Sequence, residues 1–340
     1  MTEFLAVVTP SADVGPQDPA TATPPRVPGS ARRTSSVDIT RPEGPGGPIV
    51  VEGHARDAIT LAADLPPVCT DVTLRATLDP FQEMVRVVAD PPEPALATLV
   101  GRRAVSGFRA AAADAVPEHR RAASLLYLLL DDLPVVTLVS GYALQRAGLI
   151  AEAPRAVYEP SVDLCAGWAA DATIMRTIDQ RGTPPMTLGP PAPVLDRPDD
   201  PDGWHRIPAA TPRTVRRRRR IDVGFGDELV VDAMFRDSHF DDDGNESAVH
   251  EYGLHAVIDP ETLVVAGIRA TPRVLPYAEC PAAAASASRL VGMHVDAIRD
   301  RVRAELVGTS TCTHLNDLLR SLADVRGLDS AYGAATDDAP

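Results

Sequence analysis

The chain has 340 residues, a formal net charge of −14 and 33 prolines, and only 4% of its residues are aromatic. All 33 basic residues are arginine, because the sequence contains no lysine. This composition excludes a lysine Schiff base to pyridoxal phosphate and the lysine of a P-loop nucleotide site. The acidic balance argues against nucleic-acid binding, since neutralising phosphates supplies most of the non-specific affinity.

The beginning of the chain and its most apolar stretch indicate the compartment. Residues 1–31 are rich in proline and glycine without apolar periodicity, so we expect a disordered leader, and the apolar run in it is too short for a signal peptide. Leu125 to Leu144 is interrupted by Asp131 and Asp132, which predicts a buried core segment and no membrane span. The cysteines lie far apart without a CxxC pair, at Cys69, Cys165, Cys280 and Cys312. We expect a cytoplasmic protein with reduced thiols.

Two segments of the chain resemble two others at one constant offset. Val50 to Asp57 aligns with Val230 to Asp237, and Leu74 to Pro80 aligns with Leu254 to Pro260, in both cases 180 residues apart. Eight of the fifteen aligned positions are identical. This similarity predicts an internal duplication, with a first repeat over residues 32–146 and a second over residues 214–328.

Each repeat begins with short β-rich runs and continues with helical periodicity. Predicted strands are Pro48 to Glu52, Val72 to Leu78 and Met84 to Ala89 in the first repeat, and Glu228 to Phe235, Tyr252 to Ile258 and Leu263 to Ala270 in the second. Predicted helices of the second repeat are Ala283 to Leu306 and Cys312 to Val325. We therefore expect an α+β fold of two tandem homologous units, each an antiparallel sheet followed by helices, packed as a pseudo-dimer. Residues 329–340 are predicted to be a disordered tail.

A long proline-rich insert, residues 147–213, separates the repeats and contains both tryptophans of the chain, Trp168 and Trp204. Long segments without regular structure inside compact proteins are often lids or binding loops. Trp168 is therefore a candidate substrate contact. The alternative is that each indole only anchors the insert to a domain.

The reactive side chains concentrate in the second repeat, which holds five of the eight histidines. The first repeat has Thr70 at the position of His250, so we expect it to be structural. Ser and Thr residues precede the helix that starts near Cys312. We expect Cys312 in the first turn of that helix, where the helix dipole would lower the thiol pKa. His314 follows two residues later.

The second repeat also resembles a bacterial family of domains of unknown function. The residues that carry the resemblance are Arg216 to Arg220, His250-Glu251-Tyr252, Pro276 to Cys280 and the closing Cys312-Thr-His-Leu315. The resemblance covers about a third of the chain. It implies which residues matter and carries no settled activity.

Two chemical hypotheses use these residues. One is a metal site of His250, Cys280, Cys312 and His314, whose residue types suit zinc or ferrous iron. The other has no metal: Cys312 is the nucleophile and His250 or His314 the general acid or base, while Arg236 and Asp237 are candidate substrate contacts. Because Arg56 and Asp57 occupy the same places in the first repeat, these last two are weaker candidates. Small buried thiols without chemistry are the alternative to both.

Two charged segments have simpler interpretations. Arg216 to Arg220 is read as a solvated edge strand, although an anion site is an alternative. The acidic stretch Asp237 to Glu246 lacks the ligand spacing of a calcium loop and predicts a turn. We expect an intracellular enzyme that acts on a small carbonyl or acyl compound by hydrolytic or lyase chemistry, without membrane contact. A non-catalytic metal-binding or assembly module is the alternative.

Overall fold

The fold is built on one antiparallel sheet of eight strands, and the computed structural model describes residues 18–62 and 65–338. The order across the sheet is β4-β3-β2-β1-β5-β6-β7-β8. The strands are β1 (Ser30–Thr40), β2 (Ile49–Thr60), β3 (Val68–Leu78), β4 (Met84–Asp90), β5 (Val215–Gly224), β6 (Leu229–Phe240), β7 (Glu246–Ile258) and β8 (Val265–Val274). The predicted mixed α/β class is confirmed. The two predicted sheets are instead one, because β1 pairs directly with β5.

The two central strands are buried on both faces, and this changes the interpretation of the arginine run. All five residues from Arg216 to Arg220 lie on β5 and are less than a tenth exposed. The prediction of a solvated edge strand is wrong, since β5 has neighbours on both sides. Side chains alternate across a strand, so Arg217 and Arg219 face one side of the sheet. The other three arginines face the opposite side.

The helices cover one face of the sheet. They are α1 (Phe108–Ala115), α2 (Pro117–Arg121), α3 (Leu125–Val139), α4 (Gly141–Arg146), α5 (Thr173–Arg181), α6 (Val295–Glu305), α7 (Thr313–Arg320) and α8 (Val325–Asp337). The predicted helix Ala283 to Leu306 is two elements, a 3₁₀ segment Cys280–Leu290 and α6. The break falls at Gly292, whose φ of 83° lies in the left-handed region that favours glycine.

The most apolar helix packs in the middle of this layer. α3 contacts β1, β2, β3 and β5, and burial of its apolar side chains stabilises the fold. The stretch Leu125–Arg146 is long and apolar enough to cross a membrane by length and composition, but 83% of its most apolar window is buried inside the protein. The predicted core segment is therefore confirmed.

The opposite face of the central strands is covered by irregular chain. Trp204 packs there with Leu195 and Met234, and its indole Nε1 donates a hydrogen bond of 2.7 Å to Thr23 Oγ1. The imidazole of His205 lies against the hydroxyls of Thr34 and Ser36, at 2.9 and 2.8 Å. Trp204 therefore anchors the insert.

Both predicted disordered ends differ from the structure where it describes them. Residues 1–17 of the predicted leader lie outside the described residues. The remainder is packed: Arg26 binds Asp200 through Nε and Nη2 at 2.9 and 2.7 Å. Of the predicted tail, residues 329–337 belong to α8, where Tyr332 stacks on Phe225 with ring centroids 3.9 Å apart.

Candidate active site

A cavity of about 260 Å³ opens on the helix-covered side of the sheet, beside β7. Four parts of the chain meet around it: the end of α3 with α4, the insert, β7 with the segment after β8, and the start of α7. Its walls are mainly apolar and include Leu138, Val139, Trp168, Ile174, Val249 and Leu275. The pocket brings together five sequence candidates: Trp168, His250, Cys280, Cys312 and His314.

The two candidate histidines form a stacked pair. His250 lies on β7 and His314 in the first turn of α7, and their ring centroids are 3.8 Å apart with an angle of 18° between the planes. His250 Nδ1 and His314 Nε2 are both buried without a hydrogen-bond partner among the described residues. Unpaired buried polar atoms are rare in native proteins and indicate a functional role or an unseen ligand.

Asp237 stands behind the pair. It is opposite His250 in the register of β6 and β7, and its Oδ2 is 3.4 Å from His250 Nδ1. Both of its oxygens accept hydrogen bonds from Arg217, at 2.7 Å from Nε and 2.9 Å from Nη2. Asp237 is 1% exposed and does not line the pocket. The predicted substrate contact at Asp237 therefore lies behind His250 and outside the lining of this cavity.

Charges around the pair set its protonation. Burial alone would raise the pKa of Asp237, but the charge of Arg217 and its two hydrogen bonds outweigh burial and hold that pKa well below its usual range. Burial, and to a smaller extent the neighbouring His250, lower the pKa of His314 to about 3. At neutral pH, Asp237 is ionised and His314 is uncharged.

The pocket cysteines are protonated thiols. Cys312 is the residue that precedes α7, in extended conformation, one place earlier than predicted. Burial raises its pKa to about 11 although backbone N–H groups at the helix start act in the opposite direction. Burial also raises the pKa of Cys280 and Cys165. The prediction of a thiolate favoured by the helix dipole is wrong, because desolvation is the larger effect.

The predicted set of four metal ligands does not converge. Within residues 18–62 and 65–338, one group of three or more His, Cys, Asp or Glu ligand atoms lies within a mutual 4.8 Å: Asp237, His250 and His314. Cys280 and Cys312 are outside it. The two ring planes are nearly parallel and stacked, so an ion lying in the plane of one ring would lie out of the plane of the other.

The other two candidate substrate contacts, Trp168 and Arg236, lie on opposite faces of the sheet. Trp168 lines the pocket, and Tyr158 stacks on it with centroids 6.4 Å apart. Arg236 is fully buried on the opposite face of the sheet, where its Nε donates to Glu251 at 2.5 Å and its Nη2 to the carbonyl of Ala20 at 2.6 Å. The prediction for Arg236 is wrong, since it holds the N-terminal segment in place.

Sequence reasoning missed the groups that support the site. Asp132 on α3 and Asp317 on α7 contact Arg217 Nη1 at 3.3 and 3.1 Å. Tyr142 and Tyr277, which also line the pocket, donate to carbonyls of the insert, at Thr187 and Pro185. The paired Asp131-Asp132 inside an apolar helix was a signal, because buried carboxylates require cationic partners.

A family of known sequences matches the part of the chain that contains the two histidines. Residues 215–327 match the model of a family described as a protein of unknown function, DUF2889. No curated protein and no solved structure matches the chain significantly. The matched residues include Asp237, His250, Cys280, Cys312 and His314, whereas α3 and the insert lie before them.

Proposed function

We propose that the protein is an enzyme that uses His250 and His314 to transfer a proton to or from a small, uncharged carbonyl or acyl compound, in a hydrolytic or lyase reaction. The observation that carries the proposal is the stacked imidazole pair on the wall of an apolar cavity, backed by Asp237 and Arg217. The same side chains are the strongest candidates in the sequence.

The lining of the cavity supports an uncharged substrate. Its lining residues include no arginine, aspartate or glutamate, so a charged ligand would lose its hydration without gaining an ion pair. The hydroxyls of Tyr142 and Tyr277 already donate to the insert. The two histidines are the titratable groups other than thiols and tyrosines in the lining that a carbonyl oxygen can contact, with mainly apolar walls for the rest of the molecule.

Each histidine has a distinct role in this proposal. His250 presents Nδ1 to Asp237, which leaves Nε2 for a substrate proton, and the buried carboxylate stabilises the imidazolium that forms. His314 stays neutral because of its lowered pKa and suits hydrogen bonding to the substrate. Cys312 acts as a nucleophile only if a histidine first removes its proton, because its free thiol has a pKa of about 11.

The test compares three histidine variants on neutral esters, thioesters and ketones. His250→Gln and His314→Gln should each lower kcat/KM, by about 10²- to 10⁴-fold for a lost general acid or base. His255→Gln is the matched control, since His255 lies on the same strand and is exposed. If His250→Gln and His255→Gln have equal activity on every turned-over substrate, the proposal fails.

A metal-binding module is the second candidate, supported by the mutual 4.8 Å distances of Asp237, His250 and His314. Two imidazoles and one carboxylate are the ligands of many ferrous sites, and they also suit zinc. The ion would require the rings to rotate out of their stack. Elemental analysis after incubation with Zn²⁺ or Fe²⁺ decides: one ion per chain, lost in His314→Gln and kept in His255→Gln, favours this candidate.

We also propose that the molecule arose by internal duplication, giving a pseudo-dimer with the site in the second repeat. The strand registers support this: Ile49 pairs with Leu78 and Leu229 with Ile258, and each pair of partners is 180 residues apart from the other. Gly101 donates to the carbonyl of Met84 and Gly292 to that of Val265, both at 2.8 Å. An experimental structure whose strands β1–β4 and β5–β8 fail to superpose in order would contradict the duplication.

We also propose that the protein is cytoplasmic. It is supported by Cys69, Cys165, Cys280 and Cys312, all of which are free thiols. Quantifying thiols in protein purified without reductant tests it, since a disulfide between any two of them would contradict the proposed reducing compartment.

A further inference from the structure

A second cavity, of about 230 Å³, lies at the other end of α3, between α1 and α6. Five arginines and three aspartates line it, an excess of positive charge in a protein whose net charge is −14. The arginines are Arg109, Arg120, Arg299, Arg303 and Arg320. We call this cavity the arginine pocket. It shares no lining residue with the candidate active site.

Some of the cations in the arginine pocket lack acceptors. Arg303 has no carboxylate within 4.0 Å in the described part of the chain. Arg299 donates from Nη2 to Asp324 at 2.8 Å, but its Nε is buried without a hydrogen-bond partner there. A buried guanidinium N–H without an acceptor is costly. An anion in the cavity would supply the missing acceptors.

The charges around the cavity are unevenly balanced. Burial lowers the pKa of Arg109, and the charge of Arg320 lowers it further, although carboxylates lie nearby. Among the lining aspartates, Asp131 is shared by Arg109 and Arg320. Asp300 is held by Arg120 at 2.7 Å, and Asp114 is exposed. Burial alone would lower the pKa of Arg320, but Asp131 and Asp317 outweigh burial and raise it. Among the described residues, the lining cation without a carboxylate partner is therefore Arg303.

We propose that the arginine pocket binds the phosphate group of a small molecule, held between α1 and α6 by Arg303, Arg299 and Arg109. Guanidinium groups bind phosphate through paired N–H donors, and donors from several helices suit a tetrahedral oxyanion. The cavity is many times larger than the volume that one water molecule needs. This inference is independent of the proposed reaction.

The test is calorimetric titration of the whole chain at constant ionic strength, first with inorganic phosphate and then with glycerol 2-phosphate. Arg303→Gln should weaken binding by roughly 10-fold or more, as expected for one lost hydrogen bond between charged groups. Arg301→Gln is the matched control, because Arg301 lies on the same helix, is paired with Glu305 and does not line the cavity. Arg303 is exposed, so its replacement should not disturb folding.

The outcomes separate the possible ligands. Tighter binding of glycerol 2-phosphate than of inorganic phosphate indicates an esterified phosphate, and the reverse order indicates the free ion. Either result supports the site if Arg303→Gln weakens binding and Arg301→Gln does not. Tighter binding of malonate than of both phosphates would overturn the assignment. Equal weakening by Arg303→Gln and Arg301→Gln would overturn it as well, since that is the behaviour of diffuse surface charge.

Discussion

The strands β1–β4 and β5–β8 contain the same buried ion pair in two different surroundings. Arg33 binds Asp57 through Nε and Nη2, both at 2.7 Å, in the way that Arg217 binds Asp237. The cross-strand partner of Asp57 on β3 is the exposed Thr70. The cross-strand partner of Asp237 on β7 is His250, which is covered by the insert and α7. The ion pair is therefore common to both places, and what distinguishes the second place is the added imidazoles and the cavity, on which the proposed function rests.

The largest expected effect is on folding, and it should be similar in both places. Arg217→Gln leaves Asp237 without its bidentate partner, and Arg33→Gln does the same to Asp57. Breaking a buried pair by removing one member costs about 3–5 kcal/mol of unfolding free energy. Urea denaturation at pH 7 measures both losses. If only Arg217→Gln lowers the unfolding free energy, the Arg33–Asp57 pair is not equivalent to the Arg217–Asp237 pair.

The two tryptophans extend the comparison to the insert. Trp204→Ala should lower the unfolding free energy by about 3–5 kcal/mol, because Trp204 is 5% exposed and packed on the sheet. Trp168→Ala should change folding less and should weaken binding of an uncharged ligand, seen as a higher KM. Denaturation and substrate titration separate the two effects. A Trp168→Ala variant with unchanged KM would remove Trp168 from the site.

The pH dependence of the unfolding free energy tests whether His314 is a buried, neutral imidazole. His314 has a folded-state pKa of about 3, against about 6.5 for an unperturbed histidine. The unfolded chain therefore binds one more proton between these values, so His314 favours folding fully above pH 6.5 and loses that contribution as the pH falls. We expect a slope of about 1.4 kcal/mol per pH unit from this group.

Denaturation of wild type and His314→Gln between pH 6 and 4 measures that slope. Carboxylates begin to protonate in the lower half of this window, and because they do so in both proteins, the difference between the two curves isolates His314. Wild type should lose stability more steeply than the variant by the equivalent of one proton. Parallel curves would mean that His314 is protonated in the folded protein, which contradicts a buried neutral imidazole.

The smallest effect is expected from copying the imidazole into the first repeat. Thr70→His places a histidine opposite Asp57, but the site is exposed and has no counterpart of His314 or of the insert. Stability should change by less than about 0.5 kcal/mol, as for most surface substitutions, and turnover should not increase. A measurable gain in kcat/KM would show that the ion pair and one histidine suffice.

Much of the fold could be predicted from the sequence, and the failures share one cause. The predicted β-rich runs overlap β2, β3, β4, β6, β7 and β8, but they are too short at one end of β2, β6 and β7, by eight residues in β2. β5 was misread because five consecutive arginines have no apolar alternation. Their burial depends on acidic residues of α3, α7 and the sheet strands, which only the tertiary structure brings near. Arg236 was misassigned for the same reason, since its partner Glu251 lies on a neighbouring strand.

The candidate site was half predictable. Spacing within Cys312-Thr-His-Leu315 identified His314, and the contrast between Thr70 and His250 identified the second histidine. Neither pattern contains information on desolvation, which sets the thiol pKa of Cys312. Neither gives the interatomic distances that leave Cys280 outside the group of Asp237, His250 and His314. The arginine pocket was not predictable, because its cations come from α1, α2, α6 and α7.

The most direct test of the central claim is a crystal structure of His250→Gln with a turned-over uncharged carbonyl compound bound. The account predicts the ligand in the cavity beside β7. Its carbonyl oxygen should lie about 2.6–3.2 Å from a ring nitrogen of His314 or from the side-chain amide of the glutamine introduced in place of His250. Ligand bound elsewhere on the protein, with this cavity unchanged and open, would contradict it.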